Sequence, residues 1–308
     1  MKHSIRLAAI CGLFSHILFA EEAITLRLQW QPGKTYQMST VTKSNTRMSM
    51  GGQDISTKNT INQDLSMTVS LADEKGQMEV TTTFERMAMD LSMGGQSMMS
   101  VDSAKPETVV GPMAEVTKMV GESFTFVVDQ DAKIVAYKDL KALLGDAADN
   151  PIAAALMDEQ KLKDMTAQGM LQALPGKAVK PGDTWPFKIE IPLPQVGDMA
   201  VNGRYTFERM DNFEGHACAV ITLTADIKAD FSGLDEVNPQ AKAMGLKIDK
   251  GSMSGTYYHD NALGMARQTI IRQHFDMTMK NPVNGEAMTI PVDQSTTTTV
   301  KKVEDTKK

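Results

Sequence analysis

Apolar and polar residues alternate along several long stretches of this chain, and a period of two predicts β-strands. Between residues 65 and 71, leucine, methionine and valine occupy every second position, and serine or threonine lies between them. Residues 78–84 continue the pattern. After Glu85-Arg86 the apolar residues change phase by one position, which predicts a β-bulge. Further extended segments are expected over residues 25–50, 184–191, 201–209, 216–227, 252–259, 265–280 and 288–303.

Three other segments carry features typical of helices: residues 109–120, 152–174 and 238–244. Asn150-Pro151 supplies a capping side chain and a proline for the first turn of the second segment, and Pro175-Gly176 ends it. The sequence therefore predicts an α+β fold. In this fold, amphipathic helices pack on one face of a large curved antiparallel sheet, or of two such sheets.

One motif occurs twice. Residues 32–36 read Pro-Gly-Lys-Thr-Tyr, and residues 181–185, which follow 149 positions later, read Pro-Gly-Asp-Thr-Trp. Weaker matches follow in the same order, 62–87 with 202–225 and 126–132 with 256–262. An ordered set of matches predicts two related β-rich halves. We expect the first at residues 21–140, a helical connection at 141–177, the second at 178–303, and a polar tail at 304–308.

The first 20 residues have the layout of a secretory signal peptide. Lys2 and Arg6 precede an apolar stretch that ends at Ala20, before Glu21. The residues before Cys11 are a poor lipidation signal, so we expect cleavage after Ala20 and a periplasmic or extracellular location. No segment is long and apolar enough to predict a transmembrane helix.

The chain that remains after cleavage has 30 basic and 38 acidic residues, so nucleic acid is not expected as a partner. Its single cysteine, Cys218, leaves no internal disulfide. The protein must therefore be stabilised by its core.

Methionine is abundant, with 24 residues, and recurs at spacing two in Met87/Met89 and Met277/Met279. Two thioethers on one strand face could bind Cu(I). Because leucine, isoleucine and phenylalanine share the same alternation, packing explains these methionines better. His216 and Cys218 supply two of the four ligands that a closed zinc site needs, and no metal-binding or catalytic motif supplies the others. We therefore assign no catalytic residue, metal site or cofactor.

The repeated Pro-Gly-x-Thr-aromatic motif, the signal peptide and the Thr/Met-rich strands together resemble an uncharacterised family of secreted bacterial proteins. That resemblance implies no activity and no site residues. A curved antiparallel sheet with helices on its concave face is also similar, in architecture alone, to periplasmic lipoprotein carriers and related half-barrels that bind acyl chains.

These observations favour an exported non-enzymatic protein that binds a lipid or another acyl-chain ligand in a groove. Unbranched methionine side chains suit varied apolar ligands. The expected lining residues are Met87, Met89, Met93, Phe275, Met277 and Met279. Two alternatives stay open: a structural or interaction module of the cell envelope that contacts another envelope protein and binds no ligand, and a hydrolase whose site is assembled from distant residues.

Overall fold

The computed structural model describes residues 23–50, 53–71, 76–105, 107, 120–129, 134–138, 174–193, 197–230, 245, 247–280 and 285–302. These residues form β-strands joined by turns. The strands are β1 (Ile24–Thr25), β2 (Thr35–Met50), β3 (Gln53–Leu71), β4 (Met78–Met93), β5 (Gln96–Asp102), β6 (Ser123–Val128), β7 (Ile134–Lys138), β8 (Ala178–Val179), β9 (Thr184–Leu193), β10 (Gly197–Phe213), β11 (His216–Asp230), β12 (Lys247–Asp260), β13 (Met265–Lys280) and β14 (Ala287–Lys302).

Twelve of these strands form one antiparallel sheet. Its order is β7-β6-β4-β3-β2-β14-β13-β12-β11-β10-β9, and β5 pairs with β4 beside β6. Most neighbours along this path are also neighbours in sequence. The main exception is the pairing of β14 with β2, in which Thr298 faces Thr40. This pairing joins the first and last parts of the chain into a single sheet.

The predicted α+β class is wrong for the part of the chain that the structure describes, which is all-β and contains no α-helix. The physical reason is that apolar and polar residues alternate over long stretches of the chain. Strands of 14–19 residues dominate, because threonine and other β-branched residues at period two favour extended backbone throughout. Residues 109–119, 152–173 and 238–244, which we expected to be helical, lie outside the described residues. So do the expected signal peptide at 1–20 and the tail at 304–308.

The predicted β-bulge after Phe84 is confirmed. Asp64 of β3 pairs with Arg86, whereas the next residue, Leu65, pairs with Phe84, so that Glu85 is the extra residue on β4. The bulge restores the alternation, since it keeps apolar residues on one side of the sheet before and after it.

The two Pro-Gly turns make the same backbone contacts. Gly33 donates its N–H to the carbonyl of Val69 at 2.8 Å, and Gly182 donates to the carbonyl of Phe207 at 2.7 Å. Both glycines have positive φ, 75° and 90°, a conformation that glycine adopts without steric cost. Each turn thus starts a strand that pairs with the strand following it in the chain. These matching contacts support the proposal of two related halves at residues 21–140 and 178–303.

Residues that face each other in an antiparallel pair point to the same side of the sheet. The side that we call the inner face carries two clusters of buried residues, and the opposite side is the outer face. The first cluster includes Tyr36, Met67 and Phe126 on β2, β3 and β6. The second includes Tyr205 and Ile221 on β10 and β11.

Residues 23–31, which we call the crossing segment, run over the inner face. Leu26 packs in the second cluster and Trp30 in the first. The segment is anchored at its start by β1, which pairs with β8. It therefore connects the two clusters and covers the sheet between them.

Candidate functional site

A partly open apolar cavity of about 270 Å³ lies on the inner face between the two clusters. It is lined by side chains from both clusters and from the crossing segment. These include Leu28, Trp30, Met38, Met67, Leu174, Ile221, Tyr257, His259, Met265, Ile271 and Val300. A volume just below the roughly 300 Å³ at which ligand pockets begin suits one small apolar molecule or one short chain.

The crossing segment is held over the cavity by the turn between β12 and β13. Gln29 donates its backbone N–H to the carbonyl of Gly264 at 2.8 Å. The Gln31 side chain donates to the carbonyl of Ala262 at 3.1 Å, and Asn261 Nδ2 donates to the carbonyl of Thr25 at 3.0 Å. These bonds fix the positions of Leu28 and Trp30, which are wall residues of the cavity.

The turn is itself organised by the buried carboxylate of Asp260. This group accepts hydrogen bonds from the backbone of Ala262 at 2.8 Å and Leu263 at 3.2 Å, and from Arg267 Nε at 2.7 Å. Burial alone would raise the pKa of Asp260, but these donors outweigh it and leave the pKa below its usual value. Because its acceptors are engaged by the turn, we assign Asp260 a structural role.

Two residues that line the cavity, Trp30 and His259, each contain a ring nitrogen that is buried without a hydrogen-bond partner among the described residues: Trp30 Nε1 and His259 Nε2. Trp30 is 5% exposed and His259 is 4% exposed. An unpaired buried polar group costs about 1–3 kcal/mol. Such groups are rare in native proteins.

The contacts of the His259 ring determine which nitrogen carries the proton. Burial lowers the pKa of His259, whereas hydrogen bonds to the backbone of Arg27 and the side chain of Asn261 act in the opposite direction. A hydrogen bond that raises the pKa of histidine is one that the ring donates. Since Nε2 has no partner among the described residues, Nδ1 is the donor.

The methionines singled out from the sequence lie on the inner face but do not line this cavity. Met87 and Met89 are half-buried on β4, and Met93 is 44% exposed. Phe275, Met277 and Met279 are half-buried on β13. The pairing places Met93 and Phe275 in one row across the sheet, with β3, β2 and β14 between them. At ~4.8 Å per strand, the two residues are therefore about 19 Å apart along the sheet.

Other methionines line the cavity: Met38, Met67 and Met265. Met67 belongs to the alternating stretch recognised in the sequence, so its burial could be expected. Nothing in the sequence distinguishes it as a cavity residue, because the cavity depends on the crossing segment and on strands from both ends of the chain.

Within the described residues, no group of three or more histidine, cysteine, aspartate or glutamate side chains is placed to hold a metal ion. The two metal-ligand candidates from the sequence, His216 and Cys218, differ in their exposure to solvent. Cys218 is fully buried, and burial raises the pKa of its thiol. His216 is exposed, and its Nδ1 lies 3.1 Å from Arg267 Nη2.

A more open groove of about 510 Å³ lies near the middle of the sheet. Most of its lining side chains belong to the outer face, among them Lys43, Lys58 and Arg272. His274 Nδ1 lies 2.7 Å from Asp293 Oδ1 in the same groove. These charged groups are exposed, so water and salt screen them and their net contribution to binding is small.

The described structure therefore defines an all-β protein with an apolar cavity between two core clusters of one large sheet. The chain belongs to the family of unknown function DUF6263, whose model matches residues 75–266. The predicted membership in a family without an assigned function is confirmed. No curated protein matches the chain.

Solved structures resemble the chain at low identity. Lipovitellin, from a study of its lipid-protein interactions, matches at a TM-score of 0.49 and 9% identity, over 91% of this chain and 26% of lipovitellin. The chain thus spans about a quarter of the length of that protein. An exported protein with a YmcC-like fold from Bacteroides fragilis matches at 0.26 and 11%, over 91% of this chain and all of that one.

An outer membrane lipoprotein-sorting protein domain from Vibrio parahaemolyticus matches at a TM-score of 0.13 and 8% identity, over 87% of each chain. No helix in the described ranges is long and apolar enough to cross a membrane.

Proposed function

We propose that this protein is exported, has no enzymatic activity, and binds an apolar ligand such as an acyl chain in the cavity on its inner face. The observation that carries the proposal is the cavity itself. Native interiors are packed to the density of organic crystals and leave few voids. At ~24 cal/mol per Å³, an empty cavity of about 270 Å³ that is fully enclosed would cost about 6.5 kcal/mol, which is an upper limit for this partly open one.

That cost is comparable with the whole stability of a typical domain, which is about 5–15 kcal/mol. Retaining such a cavity is easier to explain if a ligand fills it. The neighbouring clusters support this reading, because Tyr36 and Phe207 close to the cavity are completely buried. Poor packing is therefore not general in this protein.

The lining indicates the class of ligand. Methionine side chains from three strands adapt to varied apolar shapes, and Trp30 and Tyr257 supply flat aromatic surface. The half-buried Met87, Met89, Met93, Phe275, Met277 and Met279 extend the apolar part of the inner face beyond the cavity. We propose that they contact the remainder of a longer chain. A lipid is the expected partner, delivered or received by another envelope protein.

The proposal is tested first by what the protein carries. Native mass spectrometry of protein purified under mild conditions should detect a bound lipid or acyl chain, and N-terminal sequencing should find Glu21 as the first residue. A mass without ligand, together with no saturable binding of a fluorescent fatty-acid analogue, would favour a structural module instead.

A matched pair of variants locates the binding. Ala266 lines the cavity, and Ala287 is exposed on the outer face at the start of β14. Ala266→Leu adds apolar volume inside the cavity and should weaken binding of the fluorescent analogue by about tenfold. Ala287→Leu makes the same chemical change elsewhere and should leave binding unchanged. Equal affinities for both variants would place the binding site outside the cavity.

A further inference from the structure

The middle of the inner face is polar, although both clusters of buried residues on this face are apolar. Its polar side chains lie on β2 and β14, the paired strands that join the first and last parts of the chain. They share the inner side with Tyr36, because side chains alternate along a strand. Three facing pairs of uncharged residues, which we call the polar seam, make up this region: Thr40 with Thr298, Thr42 with Thr296, and Ser44 with Gln294.

The two sides of the sheet differ in charge around the seam. Among the described strands, no charged side chain lies on the inner side of β14 between Val292 and Val300, or at the positions of β2, β3 and β13 that pair with this stretch. The seam side chains are half-buried and within reach of solvent. Contact with water alone would permit charged residues here, as it does on the outer side of the same strands, which carries Lys43, Lys58, Asp64, Arg272 and Asp293.

The seam begins in the cavity. Thr298 is a lining residue of the cavity, and so is Ile271, which pairs with Thr296 from the neighbouring β13. From Thr298 the seam follows β14 to Gln294, which is about 13 Å at ~3.3 Å per residue. A molecule whose apolar chain fills the partly open cavity can therefore rest a polar group on the seam.

The seam offers both donors and acceptors of hydrogen bonds. The Oγ1 atoms of Thr40 and Thr298 lie 3.1 Å apart, and those of Thr42 and Thr296 lie 3.2 Å apart. Only one hydroxyl can donate within a pair, so each pair keeps one O–H that the pair does not use. A hydrocarbon pressed against the seam would leave such groups unpaired, whereas ligand hydroxyl groups can satisfy them. An ionised group would find no opposite charge there.

We propose, on the basis of the function proposed above, that the ligand is an amphiphile with an uncharged, hydroxylated polar group, such as the glycerol of a monoacylglycerol. Its acyl chain lies in the cavity. Its polar group lies on the seam, where its hydroxyl groups exchange hydrogen bonds with Thr42, Thr296 and Gln294.

The experiment compares three molecules with the same acyl chain: 1-monodecanoylglycerol, methyl decanoate, and decanoate at a pH where it is ionised. Dissociation constants are measured by isothermal titration calorimetry on the full mature protein. The glycerol ester should bind about tenfold more tightly than the methyl ester, because only its polar group can donate hydrogen bonds to the seam. Decanoate should bind more weakly than the glycerol ester, since its charge has no partner on the seam.

A matched pair of double variants locates the polar group. Thr42→Val/Thr296→Val removes one hydrogen-bonded pair from the seam and keeps the shape and strand propensity of both side chains. The ratio of glycerol-ester to methyl-ester affinity should fall from about ten to about two. Thr81→Val/Thr125→Val is the control, because these threonines form a 2.9 Å hydrogen bond between β4 and β6 on the outer face. It should leave the ratio unchanged.

The ratio is measured within each variant, so partial loss of folded protein does not affect it. Equal binding of the two esters by the wild-type protein would overturn the hydroxylated ligand and leave the proposed function standing. Tighter binding of decanoate would also overturn it, and an unchanged ratio in Thr42→Val/Thr296→Val would overturn the placement of the polar group on the seam. Binding of none of the three ligands would refute the proposed function itself.

Discussion

At Gly264, one added methyl group should displace the crossing segment that covers the cavity. Its φ is +79°, and a Cβ built there would lie 2.2 Å from the carbonyl oxygen of Gln29. The neighbour in conflict is backbone of the crossing segment, not the end of a flexible side chain. Gly264→Ala therefore cannot be accommodated unless the segment moves.

The expected cost has two parts. Holding alanine at positive φ costs about 1–2 kcal/mol. Moving the crossing segment breaks the 2.8 Å bond from Gln29 N–H to Gly264 and disturbs the packing of Leu26 and Trp30, which adds about 1–3 kcal/mol. We expect a total loss of about 2–5 kcal/mol in the free energy of unfolding.

Gly215 provides the control. Its φ is +85°, but a Cβ there would meet nothing within 4 Å. Gly215→Ala should cost only the backbone part, about 1–2 kcal/mol. Urea unfolding followed by tryptophan fluorescence measures both, because the two tryptophans, Trp30 and Trp185, report on one cluster each. Equal losses for the two variants would refute the claim that Gly264 fixes the crossing segment.

Three further predictions concern side chains. Because burial lowers the pKa of His259, the unfolded chain binds a proton at this residue before the folded protein does. Stability should therefore fall as the pH drops through about 6.5, and His259→Asn should flatten that fall in urea unfolding. Met67→Ala truncates a buried side chain and should lower the free energy of unfolding by about 2–5 kcal/mol, whereas Met93→Ala, at an exposed site, should change it by no more than about 0.5 kcal/mol. Similar losses for the two variants would contradict the assignment of the core. The thiol of Cys218 should not react with a thiol reagent until the protein is unfolded, and rapid reaction of the native protein would show that β11 is not buried there.

The strands could be predicted because their signal is local. Alternation over residues 265–280 predicted β13 with its observed bounds, and the phase change after Phe84 predicted the bulge. Both follow from the fixed side-chain period of an extended chain, which needs no knowledge of partners. The family without an assigned function was recognised from the repeated Pro-Gly motif together with the signal peptide and the Thr/Met-rich strands. The helical segments were inferred in the same local way, but the described residues form an all-β protein.

The sequence by itself determined which residues of one strand share a face. Met87 and Met89 do so on β4, and Phe275 and Met277 do so on β13, and the pairing places both sets on the inner side of the sheet. The sequence could not determine which of them would meet, because strand pairing and segment crossing are decided by contacts between distant parts of the chain. Trp30 and His259 are 229 positions apart and have no common motif. They line one cavity only because β14 pairs with β2 and the crossing segment is bonded to the turn after β12.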